Sequence, residues 1–158
     1  MEKKANIWDL IESSVIIYAV YSLLVMVLPV QTWIGTALST VLSILVMLYV
    51  FGLVSYKVAK EKSDITPAKA GAYAGVAIGL ISAVIGIISY YAYPEKIAQA
   101  IQAAVKQGVD AQTVQTMVQI GVYINIIIDP IIFALIGAFL SWLGFFVFKK
   151  RFAGKRRK

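Results

Sequence analysis

Four stretches of the sequence are long, apolar and almost free of charge. They cover about residues 13–30, 33–56, 68–93 and 130–148, with polar or turn-forming segments between them. An α-helix rises 1.5 Å per residue, so about 20 apolar residues cross the hydrocarbon core of a bilayer. The pattern predicts an all-α integral membrane protein, in which residues 1–158 form one domain with four transmembrane helices.

The third span carries a stripe of small residues. Gly71, Gly75 and Gly79 recur every four residues, Ala83 continues the row, and Gly86 follows about one turn later. Such a glycine stripe leaves one helix face without side chains, so another helix can approach backbone to backbone. We expect this helix to be the packing centre of the bundle, within one chain or between two copies. A pore lining or a sliding gate is the alternative role for the stripe.

The segment 94–128 differs from the spans because apolar and polar residues alternate at helical spacing. Ile97 and Ile101 lie on one face, Gly108 interrupts the pattern, and Asp110 is a suitable N-cap for a second helix. These features predict an amphipathic helical hairpin between the third and fourth spans. The hairpin either lies flat on the membrane surface or offers a polar binding face. That face would consist of Gln99, Gln102, Gln107, Gln112, Gln115 and Gln119.

The basic residues predict the orientation of the chain in the membrane. With four spans, 13 Lys and Arg residues fall on one side and two, Lys96 and Lys106, on the other. Cytoplasmic segments carry the excess of Lys and Arg, so both termini should be cytoplasmic and the hairpin extracytoplasmic. We therefore expect a multi-pass protein of the cell membrane. The 13 residues are Lys3, Lys4, Lys57, Lys60, Lys62, Lys69 and the seven that follow Phe148.

Composition narrows the classes of function. The chain has no Cys and no His, and 60% of its residues are hydrophobic. A serine hydrolase of the rhomboid type needs a His, an intramembrane aspartyl protease needs two Asp residues in spans, and zinc sites need Cys or His. We therefore expect a non-enzymatic protein without a cofactor or metal.

The net charge of +7 arises mainly from a basic tail directly after the last span. Positive charge beside a span is typical of a topology anchor or of contact with anionic lipid, so we expect membrane lipids and no nucleic acid as partners. The candidate lipid contacts are Lys149, Lys150, Arg151, Lys155, Arg156, Arg157 and Lys158.

Asp129 is the one acidic residue within an apolar stretch. An ionisable group at membrane depth is a candidate functional residue, and Asn125 one turn earlier completes a candidate proton or cation site. Asp129 followed by Pro130 is equally typical of a helix start, with Asp as the cap and Pro in the first turn. About 20 residues separate Asp129 from Lys149, which places the carboxylate at the outer boundary of the membrane. The two interpretations remain open.

The pattern resembles an uncharacterised family of small four-span membrane proteins, a domain of unknown function, over roughly residues 45–150. The resemblance lies in the charged loop ending Ile65-Thr66-Pro67-Ala68, the small-residue third span, the Gln-rich insert with its Gly108 break, and the Asp129-Pro130 step. It implies the four-span fold, and because that family has no assigned activity, no functional residue carries over from it.

Three functional hypotheses follow from the sequence. The first is a structural or accessory subunit that packs through the glycine stripe with a second copy or with another membrane protein. The second is a small channel or ion-coupled carrier that uses Asp129. The third is a lipid-interacting, membrane-shaping protein that acts through its amphipathic hairpin.

Overall fold

The computed structural model describes residues 6–27, 33–61 and 64–154, and its regular structure within these ranges is helical. The helices are α1 (Ile7–Val27), α2 (Trp33–Glu61), α3 (Pro67–Ala92), α4 (Pro94–Val105) and α5 (Ala111–Gly154). Each of α1, α2, α3 and α5 is long and apolar enough to cross a membrane, which supports a multi-pass membrane protein. The turn-forming segment between the first two spans, which includes Pro29, and the last four basic residues lie outside the described residues.

Local capping residues explain where α1 and α3 begin. The Asn6 side-chain oxygen accepts a hydrogen bond from the backbone N–H of Trp8 at 3.5 Å. The Thr66 hydroxyl oxygen accepts one from the backbone N–H of Lys69 at 3.3 Å, with Pro67 in the first turn. Both interactions satisfy N–H groups that have no partner within the helix.

The connection from α4 to α5 is a short turn. Gly108 adopts a φ of 87°, a left-handed conformation that favours glycine, and so reverses the chain after α4. Asp110 then caps α5, because its carboxylate accepts hydrogen bonds from the Thr113 backbone N–H at 2.9 Å and from the Thr113 hydroxyl at 3.1 Å. The predicted break at Gly108 and the predicted cap at Asp110 are both confirmed.

The predicted helix start at Asp129 and Pro130 is wrong. α5 is one helix of 44 residues, and Pro130 lies inside it. The second arm of the predicted hairpin is therefore continuous with the predicted fourth span at 130–148. Pro130 has no N–H, so the carbonyl of Ile126 loses its usual partner within the helix. Helix packing around such a site lets a membrane helix continue through proline.

α3 is the central helix of the bundle, because it contacts each of the other four helices and packs most extensively against α5. At one end of the bundle, Lys57 near the end of α2 donates hydrogen bonds to the Asp9 carbonyl and the Ser13 hydroxyl on α1. The rings of Tyr56 on α2 and Phe148 on α5 meet at the same end, with centroids 5.7 Å apart. We call this end, which also holds the start of α3, the basic end.

The buried core lies in the half of the bundle next to the basic end. Ser14 on α1 donates a hydrogen bond to the Val50 carbonyl at 2.9 Å, and Ser55 on α2 donates to the Ser141 carbonyl on α5 at 2.9 Å. Among the described residues, every buried side-chain nitrogen or oxygen has a hydrogen-bond partner. We call this region the closed half; its fully buried apolar side chains are Leu10, Val50, Phe51, Val54, Ala70, Ala74 and Ile78.

Candidate functional site

Three glycines of the stripe contact α5 of the same chain. A Cβ atom added to Gly79 would lie 2.7 Å from the Asp129 carbonyl carbon, and one added to Gly75 would lie 2.7 Å from the Ala134 Cα. These distances are too short for any side chain, so only glycine permits the close approach of α3 to α5. The contacts pair Gly79 with Asp129 and Pro130, Gly75 with Phe133 and Ala134, and Gly71 with Gly137 and Ser141.

Gly86 does not share this contact. A Cβ atom at Gly86 would meet no atom within 4 Å, whereas Ala83 three residues earlier is buried. α5 contributes Gly137 to the same interface, where an added Cβ would lie 2.5 Å from the Phe51 ring. Glycines of both α3 and α5 therefore allow the close contact, which ends before Gly86 on α3.

The register of this contact determines the depth of Asp129. Residues 67–79 are 13 of the 26 residues of α3, so Gly79 and the neighbouring Asp129 lie at the midpoint of that helix. Ten residues separate Gly79 from Lys69, about 15 Å along the helix axis. Counting from Lys149 placed Asp129 at the membrane boundary. The two counts differ because α5 continues past the start of α3 at the basic end.

Long parts of the sequence are nearly free of charge: residues 13–56, 70–94 and 111–148 together contain one Asp, Glu, Lys or Arg residue, which is Asp129. Its side chain is half-buried. The bundle therefore holds a single carboxylate beside the midpoint of its central helix, with no basic residue in the same section. In a bilayer, such a group is costly unless polar atoms or water surround it.

A cavity lined largely by hydroxyl groups lies between α1, α2 and α3, in the half of the bundle away from the basic end. Its volume is about 260 Å³, and it is open on one side. Tyr21 and Ser43 share a hydrogen bond across it, and Ser43 itself donates to the Ser39 carbonyl at 2.8 Å. We call it the hydroxyl cavity; its polar lining consists of Tyr18, Tyr21, Ser22, Ser43, Ser82 and Ser89.

Tyr18 of the hydroxyl cavity also packs against α5. Its ring contacts the ring of Phe133, one turn after Asp129 on α5, with centroids 5.9 Å apart. Its hydroxyl interacts with the side chains of Ser22 and Ser82. Tyr18 is only 8% exposed, so packing holds it in this position.

The remaining candidate residues lie elsewhere. Asn125 is exposed on α5 and is not part of the cavity lining. Lys149 is exposed, with its ammonium 5.9 Å from the centre of the Phe145 ring. The side chains of Lys150 and Arg151 lie outside the described part of the structure, as do all of Lys155, Arg156, Arg157 and Lys158. The six glutamines of the insert are exposed: Gln99, Gln102, Gln107, Gln112, Gln115 and Gln119.

Sequence reasoning missed the hydroxyl cavity, although a signal was present. Tyr18, Tyr21 and Ser22 are three and four residues apart, and Ser82 and Ser89 are seven apart, so each set lies on one helix face. Such polar faces within apolar spans usually point into a bundle rather than towards lipid.

Comparison with protein-family models, with curated proteins and with solved structures finds no match to this chain. The resemblance to a small four-span family therefore stays a prediction, and the functional argument rests on the geometry described above.

Proposed function

We propose that the protein is a small, non-enzymatic ion-coupled carrier or channel in which Asp129 is the ion-binding group. The observation that carries this proposal is the position of Asp129, beside the midpoint of α3 and one helical turn before Phe133, whose ring contacts Tyr18 of the hydroxyl cavity. Ionisable residues within membrane bundles commonly mark ion pathways. A charge at membrane depth costs free energy, so such residues are rare except where the charge has a function.

The chemistry of the site favours a small cation or a proton over a larger solute. Carboxylate and hydroxyl oxygens are the ligands that hard cations prefer. A cavity of about 260 Å³ is smaller than typical pockets for drug-sized ligands, which begin at about 300 Å³. The apolar stretches contain no Lys or Arg to neutralise Asp129, so a mobile cation is the natural counter-charge.

The proposal includes an orientation in the cell membrane. The excess of Lys and Arg at the basic end supports cytoplasmic N- and C-termini. In this orientation the hydroxyl cavity lies in the outer half of the bundle, and α4 with the first turns of α5 forms the extracytoplasmic hairpin. The basic tail would then meet anionic lipid of the inner leaflet.

Ion flux into liposomes that contain the purified full-length protein tests this function. We expect a cation or proton flux that Asp129→Asn removes, because Asn cannot carry the charge. Asp110→Asn is the matched control, since it makes the same change at an exposed acid at the start of α5 and keeps a capping oxygen. Absence of flux from the wild-type protein, or equal flux from Asp129→Asn, would contradict the proposal.

An accessory subunit is a second candidate function, favoured by glycines that face open space. Gly52, Gly86 and Gly121 have no atom within 4 Å of an added Cβ, so a helix of another chain can approach them closely. Gly71, Gly75 and Gly79 are already covered by α5, so Gly86 replaces them as the expected partner contact on α3. The mass of the complex extracted gently from its native membrane tests this candidate. A species whose mass does not change in Gly86→Leu would count against it.

A further inference from the structure

We propose that the hydroxyl cavity is a binding site for a small uncharged polyol group, such as free glycerol or the glycerol of an uncharged lipid. The inference goes beyond the proposed function, because Asp129 does not line the cavity and binding there needs no ion. It rests on the shape of the cavity, on the kinds of side chain that line it, and on the direction of one hydrogen bond.

The cavity is long, and it reaches towards the ends of two helices. Its lining extends to Met26 on α1 and to Ser89 on α3, each within one turn of the end of its helix. From there it continues back to Tyr18 and Ser82, about 10–12 Å along each helix axis. The lining residues other than Tyr18 are half-buried, so a ligand can reach them from outside the bundle.

The lining favours an uncharged ligand with both polar and apolar parts. None of the described residues that line the cavity is Asp, Glu, Lys or Arg, so a charged ligand would lose water without gaining a counter-charge. Tyr and Ser hydroxyls lie beside the apolar side chains of Val25, Met26 and Ile85. Hydroxyl groups on a short carbon chain match both parts of this surface.

The hydrogen bonds of Tyr21 favour a ligand that donates. Ser43 has a single hydroxyl proton and donates it to the Ser39 carbonyl at 2.8 Å. In the bond between Tyr21 and Ser43, Tyr21 is therefore the donor. The Tyr21 oxygen can still accept a hydrogen bond, and an O–H group of the ligand is the suitable partner. An amine would also donate, but it would be charged at neutral pH.

Packing holds hydroxyl groups of the cavity in place before a ligand binds. Tyr18 is only 8% exposed, and its ring centroid lies 5.9 Å from that of Phe133 and 6.2 Å from that of Tyr21. The Tyr18 hydroxyl interacts with Ser22 on α1 and Ser82 on α3, which joins two sides of the cavity. A site that is already ordered loses less conformational entropy on binding.

Saturation-transfer NMR with glycerol tests the inference. The full-length protein is held in lipid nanodiscs, its protons are irradiated, and the transfer to glycerol is titrated to give a dissociation constant, with empty nanodiscs as background. We expect saturable binding of glycerol and none of ethylene glycol dimethyl ether, which has as many non-hydrogen atoms but no O–H group. Absence of saturable glycerol binding, the result for a cavity that holds water alone, would overturn the proposal, as would equal binding of the ether.

Two variants remove hydroxyl groups from the cavity. Tyr21→Phe removes the acceptor on α1, and Ser82→Ala removes a hydroxyl on α3. We expect each variant to raise the dissociation constant for glycerol by at least about threefold, as for the loss of one hydrogen bond between uncharged groups. Tyr91→Phe is the matched control, because it removes an exposed tyrosine hydroxyl bonded to Tyr123 outside the cavity, and it should bind as the wild type does.

Circular dichroism in the same nanodiscs checks that each variant is folded. Wild-type binding in both Tyr21→Phe and Ser82→Ala, or an equal loss in Tyr91→Phe, would overturn the proposal. If Tyr21→Phe does not fold, Ser82→Ala decides alone, and wild-type binding in that variant overturns the proposal.

A competition experiment identifies the source of the polyol group. Monooleoylglycerol and methyl oleate carry the same acyl chain, but only the first has free hydroxyl groups, and each is added to the nanodiscs in turn. Displacement of glycerol by monooleoylglycerol alone supports an uncharged glycerolipid, and glycerol binding without displacement supports a free polyol. Equal displacement by both would show that the cavity takes an acyl chain, which overturns the proposal.

These outcomes are separate from those of the proposed function. Asp129→Asn should bind glycerol as the wild type does, even where it removes ion flux, because Asp129 does not line the cavity. Ion flux without glycerol binding overturns this inference and leaves the carrier or channel standing. Glycerol binding without ion flux does the reverse.

Discussion

The two halves of the bundle differ in how their polar groups are satisfied. In the closed half, serine hydroxyls donate to backbone carbonyls of neighbouring helices, as Ser14 does to Val50 and Ser55 does to Ser141. In the half away from the basic end, here called the open half, hydroxyls of Ser22, Ser82 and other residues line a cavity. The closed half thus joins helices through bonds from hydroxyls to backbone carbonyls, whereas in the open half hydroxyls bond one another across helices, as Tyr21 does with Ser43, around a space that stays unfilled.

Close packing and open space are therefore separated along the axis of the bundle. A bilayer provides no hydrophobic drive for helix association, so close packing must hold the helices together. The closed half supplies that packing through Gly71, Gly75 and a dry core around Phe51. The open half can then leave a cavity unfilled, with Asp129 at the boundary between the two.

The largest effect is expected from a substitution that disrupts helix packing in the closed half. In Gly75→Leu the new Cβ would fall on the backbone of Phe133 and Ala134, which cannot move aside. We expect the free energy of unfolding to fall by about 3 kcal/mol or more, measured by denaturant titration in mixed micelles. Gly86→Leu makes the same change on the same helix where nothing lies within 4 Å, and it should stay within about 0.5 kcal/mol of wild type. An equal fall in the free energy of unfolding in both variants would show that the contact at Gly75 is not what stabilises the closed half.

A smaller loss of stability is expected when a single serine hydroxyl is removed, and its size should differ between the two halves. Ser55→Ala removes the hydrogen bond from α2 to the Ser141 carbonyl, and such bonds in membrane proteins contribute about 0.6 kcal/mol on average. Ser43→Ala removes a hydroxyl from the cavity, where water can take its place beside Tyr21. In the same micelle assay we expect the greater loss for Ser55→Ala, and the reverse order would show that the open half is as tightly joined.

The smallest effect concerns the start of α5. Hydrogen bonds from the Thr113 backbone N–H and hydroxyl hold the pKa of Asp110 below its ordinary value of 3.8. The cap is therefore strongest above that value and is lost as the pH falls through the lower pKa of the folded state. Hydrogen exchange of the first amides of α5 should rise below pH 3.8 in the wild type. The rise should be absent in Asp110→Asn, and a rise of equal size there would exclude the carboxylate as its cause.

Much of the fold could be predicted from the sequence because its signals are local. Charge-free runs marked the spans, and Thr66-Pro67, Gly108 and Asp110 marked helix ends through their own backbone preferences. Pro130 misled the prediction because Asp-Pro is a common helix start. Whether a membrane helix continues through proline depends on the neighbouring helix, here α3.

The candidate site was harder to predict because it depends on register between helices. The position of Asp129 beside Gly79 follows from how α3 and α5 slide against one another, and distance along one helix from Lys149 could not supply it. The sequence shows that Ser22 and Ser82 lie on polar helix faces, but it does not show which of these faces meet. They become a cavity lining only when three helices are packed together.

The contact between α3 and α5 also sets an order of events during synthesis. α3 leaves the ribosome before α5, so the glycine backbone at Gly71, Gly75 and Gly79 has no partner until the last helix has entered the membrane. A nascent chain that stops before Ala111 would keep that face uncovered. Assembly of the bundle therefore waits for α5, and the helix that brings Asp129 is also the one that completes the fold.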